Sequence, residues 1–84
     1  MSKKVSTPQE AVLEELQRLL YAYQVNGTKI AKFANLSKTT GCRHIKRIGE
    51  MRIQELFDVM AGAGIPLSEL VDAVERGVGK WRLS

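Results

Sequence analysis

The chain has 84 residues, of which 44% are hydrophobic and 26% are charged, and its formal net charge is +4. This size and composition predict one small globular domain and exclude both a disordered chain and a separate catalytic domain. A single cysteine, Cys42, and a single histidine, His44, exclude an internal disulfide and a metal site built from cysteines and histidines. The lone cysteine fits a reducing cytoplasm, and we expect a cytoplasmic protein without metal or cofactor. No apolar run is long enough to cross a membrane.

The first predicted helix begins with several agreeing signals. Thr7 is a good N-cap, Pro8 has the right fixed φ for the first helical position, and Glu10 follows as in a capping box. Asn26 and Gly27 are predicted to stop this helix, because both tolerate a left-handed backbone. Apolar residues at helical spacing connect the two ends: Val12, Leu13, Leu16, Leu19, Leu20 and Tyr23.

Two short helices are predicted in the middle of the chain. The second helix spans residues 28–34, and the third runs from Lys38 to about Ile48. A tight turn over residues 35–37 separates them, with Ser37 as the cap of the third helix. The inward residues of the second helix are predicted to be Ile30, Ala31, Phe33 and Ala34, and those of the third to be Cys42, Ile45 and Ile48.

Two further helices are predicted towards the carboxyl end. The fourth spans residues 52–61 and ends at the glycines of residues 62–64, and the fifth runs from Pro66 to Gly77. The fourth helix is predicted to bury Ile53, Leu56, Phe57 and Met60. The fifth is predicted to bury Leu67, Leu70, Val71 and Val74.

These elements predict an all-α protein, a compact bundle of about five short helices. We expect residues 1–6 to form a flexible arm and residues 7–77 to form the folded domain. Residues 78–84 are expected to form a tail, which is a candidate dimer contact together with the fifth helix. The reason is Trp81, because an exposed tryptophan in a tail is otherwise hard to justify.

The charge is unevenly distributed along the chain. Residues 26–49 carry six lysines and arginines and no acidic residue, whereas residues 5–25 and 50–79 have net charges of −2 and −4. A block of one sign presents an attractive field to a polyanion, and the acidic flanks keep the rest of the surface away from it. This pattern indicates a nucleic-acid partner.

The basic block coincides with a pattern typical of a helix-turn-helix. Two short amphipathic helices are joined by a turn of three or four residues, and the second of them is basic. Small residues are needed where the helices cross, and Ala31 and Ala34 are predicted to supply them. With 100° per residue, the outward face of the third helix carries Thr40, Arg43, His44 and Arg47, flanked by Lys38, Thr39 and Lys46. Arginine, lysine and threonine are the residues that read base edges and hold phosphates.

The chain resembles the lambda-repressor and Cro type of helix-turn-helix regulator, the XRE family of phages and mobile elements. The resemblance rests on Ile30-Ala31 in the second helix, Leu36-Ser37 in the turn and the segment of residues 65–70, IPLSEL. Asn35 stands where the family usually has glycine. Gly41 and His44 stand where its third helix is apolar.

The resemblance implies a dimer that binds operator DNA with two-fold symmetry and, in most members, represses transcription. It implies that Lys38, Thr39, Thr40 and Arg43 read the DNA, with Ser37 at a phosphate. The full set of predicted DNA-binding residues is Thr28, Lys29, Ser37, Lys38, Thr39, Thr40, Arg43, His44, Lys46 and Arg47.

Two other classes of function stay open. One is a helical protein-interaction module, antitoxin-like or inhibitory, whose basic face meets an acidic partner. The other is RNA binding, although single-stranded RNA favours aromatic residues among the cations, and only Phe33 is present there. An enzyme is not expected, because the sequence has no phosphate-binding glycine loop and no nucleophile paired with a base. No small-molecule substrate is evident.

Overall fold

The computed structural model describes residues 7–83, and all the regular structure among them is helical. This confirms the predicted all-α fold of five helices. The arm predicted for residues 1–6 and the last residue, Ser84, lie outside the described residues. The elements are α1 (Pro8–Ala22), α2 (Gly27–Ala34), α3 (Lys38–Lys46), a 3-10 turn (Ile48–Glu50), α4 (Ile53–Ala63) and α5 (Leu67–Leu83).

The start of α1 follows the sequence prediction. Pro8 is the first helical residue, and the Thr7 hydroxyl accepts a hydrogen bond from the backbone N–H of Glu10 at 3.1 Å. This bond satisfies one of the backbone donors that a helix start leaves unpaired.

The end of α1 differs from the prediction. The left-handed residue in the loop is Gln24, with φ of 59°, and not Asn26 or Gly27. Asn26 is extended instead, and its side-chain oxygen accepts from the N–H of Lys29 at 2.9 Å, so that it caps the start of α2. Asparagine serves both roles, and the prediction chose the wrong one.

The core is shared by all five helices. Its centre is formed by large side chains of α1 and α2 with branched residues from the other elements. Each such side chain contributes roughly 1.5–3 kcal/mol by leaving water. The buried cluster comprises Leu16, Leu19, Leu20, Val25, Ile30, Ile45, Ile48, Leu56, Val59, Met60, Ile65 and Ala73.

The helix α5 does not end at Gly77, as the sequence prediction had it. It continues to Leu83, so residues 78–83 are helical and do not form a separate tail. Gly77 is a point of close approach: a Cβ atom placed on it would lie 2.5 Å from the Cα of Val12 in α1. The glycine lets two backbones touch, and the helix continues through it.

A buried carboxylate holds the carboxyl half of α5 against α1. The Glu15 side chain is 2% exposed, and its oxygens lie 3.1 Å from Arg76 Nε and 3.3 Å from Lys80 Nζ. Burial by itself raises the pKa of Glu15, but the hydrogen bonds from Arg76 and Lys80 and the charge of Arg18 hold this pKa below its ordinary value. Glu15 is therefore ionised at neutral pH and pairs with two cations of α5.

The inward faces predicted for α4 and α5 are partly wrong. The predicted Leu56 and Met60 are buried and Leu70 is half-buried, whereas Val59 and Ala73 were missed. The small face of α5, with Ala73 and Gly77, packs on α1, so its larger apolar side chains turn outward. The side chains predicted to be inward but found exposed are Ile53, Phe57, Leu67, Val71 and Val74.

Candidate nucleic-acid interface

The turn between α2 and α3 has three residues, as predicted. Asn35 is left-handed, with φ of 57° and ψ of 51°, and the N–H of Leu36 donates to the carbonyl of Ala31 at 2.8 Å. Ser37 caps α3, because its hydroxyl accepts from the N–H of Thr40 at 3.2 Å. Asparagine is one of the few residues with a side chain that adopts this backbone conformation routinely.

A pair of glycines forms the crossing of α2 and α3. A Cβ atom on Gly41 would lie 2.3 Å from the carbonyl oxygen of Gly27 and 2.8 Å from the Cβ of Ala31. A Cβ atom on Gly27 would lie 2.5 Å from the Cα of Cys42. Ala31 is buried at the crossing, as predicted, and Ala34 is half-buried. The contribution of the glycines was missed, since Gly27 was taken as a helix stop.

The rotation of α3 also differs from the prediction. Its buried residues are Gly41, His44 and Ile45, and Cys42 is only half-buried. His44 was expected to face DNA, but it is 8% exposed and points inward. Since the glycine crossing brings the side of Gly41 against α2, His44 turns towards the core with it. The end of α3 was also placed too late: the helix ends at Lys46, and Ile48 belongs to the 3-10 turn.

The exposed side of α3 carries most of the predicted DNA-binding residues. Thr40 is half-buried, and its hydroxyl accepts a hydrogen bond from Ser37 Oγ at 2.8 Å. At the start of α2, Thr28 and Lys29 are exposed as well. The exposed residues of α3 and its two caps are Ser37, Lys38, Thr39, Arg43, Lys46 and Arg47.

Three of the four cations on this side of α3 form no salt bridge within the described residues. Among residues 7–83, no carboxylate forms a salt bridge with Lys38, Arg43 or Lys46. Arg47 is paired, with its guanidinium 3.4 Å from Glu50. Unpaired cations on a helix surface attract a polyanion more strongly than cations that are already compensated.

Two side chains from other helices hold α3. The Gln17 side chain of α1 donates a hydrogen bond to the carbonyl of Ile45 at 2.7 Å. On the other side, His44 Nε2 lies 3.4 Å from Glu55 Oε1 of α4. Sequence reasoning missed both contacts, because they join residues that are far apart in the chain and follow no helical spacing.

Within residues 7–83, no group of three or more histidine, cysteine, aspartate or glutamate side chains could hold a metal ion. None of the described helices combines the length and apolar character that a membrane span requires. No family model, curated protein or solved structure matches this chain. The resemblance to lambda-repressor and Cro regulators therefore stays a prediction from the sequence.

Proposed function

We propose that this chain is a sequence-specific regulator that binds double-stranded DNA. In this proposal α2 and α3 act as a helix-turn-helix, and α3 enters the major groove with its exposed side towards the bases. We favour a repressor that acts as a homodimer on a two-fold operator in the cytoplasm, with no enzymatic activity.

The observation that carries the proposal is the uncompensated outer side of α3. Lys38, Arg43 and Lys46 are exposed and lack carboxylate partners in the described residues, and Thr39 lies on the same side. Arginine fits guanine edges with two hydrogen bonds, lysine pairs with phosphates, and the threonine methyl fits thymine. A short helix with this side chain set suits the major groove, which is wide enough to admit a helix.

The start of α2 supports a second contact, with the DNA backbone. Thr28 and Lys29 are exposed at a helix amino terminus, where backbone N–H groups and the helix dipole favour a phosphate. This contact would fix the orientation of the two helices on the duplex without reading its sequence.

The homodimer is supported by the exposed stripe on α5. Leu67, Val71 and Val74 are 62%, 49% and 37% exposed, and they follow one another at spacings of four and three residues. Apolar residues at alternating spacings of four and three form a narrow stripe, which is typical of the seam where two helices pack together. One short recognition helix reads few base pairs, so a second copy would double the site.

DNA titration at several salt concentrations tests the proposal. Duplexes are first selected from a random-sequence pool, and the affinity of the selected duplex is then measured. A dimer that neutralises about eight phosphates gives a slope of log K against log salt of roughly −7. The control is Arg82→Ala, which removes an exposed cation of α5 outside the proposed DNA-binding residues. This variant should have the same slope as the wild type. A slope near zero for the wild type would refute the DNA proposal.

Sedimentation equilibrium tests the dimer separately. Val71→Glu places a charge in the α5 stripe and should raise the dimer dissociation constant at least tenfold. Ile53→Glu, at an exposed apolar position on α4 outside this stripe, is the control and should not change it. Strictly monomeric wild-type protein, even on DNA, would refute the dimer.

The alternative function, a protein-interaction module, has one observation in its favour. Ile53 and Phe57 on α4 are exposed large apolar residues, 64% and 48%, at a spacing of one helical turn. They lie on α4, whereas the cations without a salt bridge lie on α3. Absence of selected duplexes, together with binding of an acidic protein, would favour this alternative.

A further inference from the structure

A buried polar pair joins α3 to α4. The side chains of His44 and Glu55 are 10% and 17% exposed, and Nε2 of the histidine lies 3.4 Å from Oε1 of the glutamate. The same oxygen accepts a hydrogen bond from the backbone N–H of Arg52 at 2.9 Å. The carboxylate is therefore fixed to the start of α4, and it offers His44 a charge in a defined place.

Burying His44 carries a cost in stability. The other ring nitrogen of His44, Nδ1, is buried and has no hydrogen-bond partner among residues 7–83. Leaving a buried polar atom unpaired costs about 1–3 kcal/mol, whereas an apolar side chain of similar size avoids this cost. This cost offsets part of the stability that the contact between Nε2 and Glu55 supplies.

The apolar pattern of α3 does not select its observed rotation. Cys42, Ile45 and Ile48 define an apolar stripe, but the buried side of the helix is shifted from it towards Gly41 and His44. α3 packs along α2, and its link to α4 runs mainly through side chains. The crossing at Gly27 and Gly41 limits which side of α3 can meet α2, and the contact between the imidazole and a fixed carboxylate of α4 is a second, directional constraint on the same rotation.

We propose that His44 is a positioning residue. The glycine crossing brings one side of α3 against α2, and the contact of His44 with Glu55 holds the helix at this rotation, in which Thr39, Arg43 and Lys46 face outward. The part of this inference that concerns DNA reading rests on the proposed function, whereas the fixed rotation does not.

The first test uses the selected duplex and a scrambled duplex of equal length. His44→Met removes the polar contact and fills the same space, so we expect an unfolding temperature equal to or above that of the wild type. We expect its preference for the selected duplex to fall about tenfold, within the usual range of coupling between contacting residues. Glu55→Gln keeps an acceptor for the Arg52 N–H and removes the charge beside His44, so it should also reduce the preference. Asp58→Asn, on an exposed carboxylate of α4, is the control and should have no effect.

A double variant shows whether the two residues act through each other. If they do, His44→Met with Glu55→Gln reduces the preference no further than His44→Met alone. Losses that multiply would overturn the inference, and so would a His44→Met protein that keeps the wild-type preference. If His44→Met does not fold, the result for Glu55→Gln decides in the same way.

A second test needs no DNA. Cys42 is the single cysteine of the chain and is half-buried on α3, so its thiol reports on the rotation of this helix. When several rotations are populated, the thiol is exposed part of the time, and its reaction with a disulfide reagent should be at least threefold faster in His44→Met. An unchanged rate would overturn the fixed rotation. Failure of the wild type to select any duplex, with a faster thiol reaction in the variant, would instead refute the proposed function alone.

Discussion

Cations have opposite roles in two regions of the molecule. One region is the packed pair α1 and α5, and the other is the pair α2 and α3. Between α1 and α5, Arg76 and Lys80 turn towards the buried carboxylate of Glu15. On α3, Arg43 and Lys46 point outward and have no carboxylate partner in the described part of the chain. The same residue types therefore fasten two helices in one region and stay available to a partner in the other.

The two regions also share a device, a glycine at which two helix backbones approach. Gly77 meets Val12 in the first region, and Gly41 meets Gly27 in the second. Close helix packing at a glycine is therefore compatible both with cations that pair inside the protein, as on α5, and with exposed cations that form no salt bridge, as on α3. Four predictions test how far this contrast holds.

The largest effect is expected for Gly41→Ala. The added Cβ would lie 2.3 Å from a backbone oxygen, which cannot move without separating α2 from α3, so we expect a loss of about 2–3 kcal/mol in unfolding free energy. Urea denaturation measures it. Gly79→Ala is the matched control: its Cβ meets nothing within 4 Å, and alanine should stabilise α5 by up to about 1 kcal/mol. Equal stabilities for the two variants would contradict the close crossing.

Arg43→Ala and Lys46→Ala should separate base reading from phosphate binding on the proposed DNA face. We expect Arg43→Ala to cost about 1–3 kcal/mol in binding and to relax discrimination at one base position. Lys46→Ala should weaken binding to all sequences alike and reduce the salt slope by about one. Binding curves on the selected duplex and its single-base variants measure both effects. An unchanged ranking of those duplexes in Arg43→Ala would show that another side of the protein reads the bases.

Glu15→Gln should weaken the region that pairs its cations internally. Arg76 and Lys80 are partly exposed and can be hydrated when the charge is lost, so we expect only about 1–2 kcal/mol of destabilisation at neutral pH. The pKa of Glu15 is lowered in the folded protein, so its contribution is present above the ordinary value of 4.5 and is lost as the pH falls through the lower folded value. Denaturation at pH 7 and below pH 4 measures this. If the unfolding free energies of the wild type and of Glu15→Gln differ by the same amount at both pH values, the proposed role of this carboxylate is contradicted.

The smallest effect is expected at the turn before α3. Asn35→Ala places a residue without a polar side chain in a left-handed conformation and should cost about 1 kcal/mol. Asn35→Gly, which favours this conformation, should be neutral or slightly stabilising and is the control. Thermal unfolding of the two variants measures the difference, and an alanine variant as stable as the glycine variant would contradict a left-handed residue 35.

Local signals in the sequence predicted the helices and most of the caps. Thr7 and Ser37 cap the helices that they were expected to cap, because this bond joins residues three positions apart. The exposed positions of Lys38, Thr39 and Arg43 were also predicted. Function is a different matter, since the DNA-binding role of these residues stays a prediction.

The rotation of the helices could not be predicted in the same way. The apolar stripe placed His44 outside and Leu67, Val71 and Val74 inside, and the structure reverses all four. Hydrophobic spacing assumes that the widest apolar side of a helix meets the core. Here the close approach of glycines determines which side meets a neighbour, and for α5 that side is the small one, around Gly77.

The sequence by itself determined that residues 7–77 form an all-helical fold, where most helices begin, and that the middle of the chain concentrates positive charge. These properties depend on neighbours within about four residues along the chain. Only the tertiary structure decided that α5 continues to Leu83, that Glu15 is buried with its cations, and that His44 meets Glu55. Each of these depends on atoms of distant segments that the fold brings within a few ångströms, and no local spacing encodes that approach.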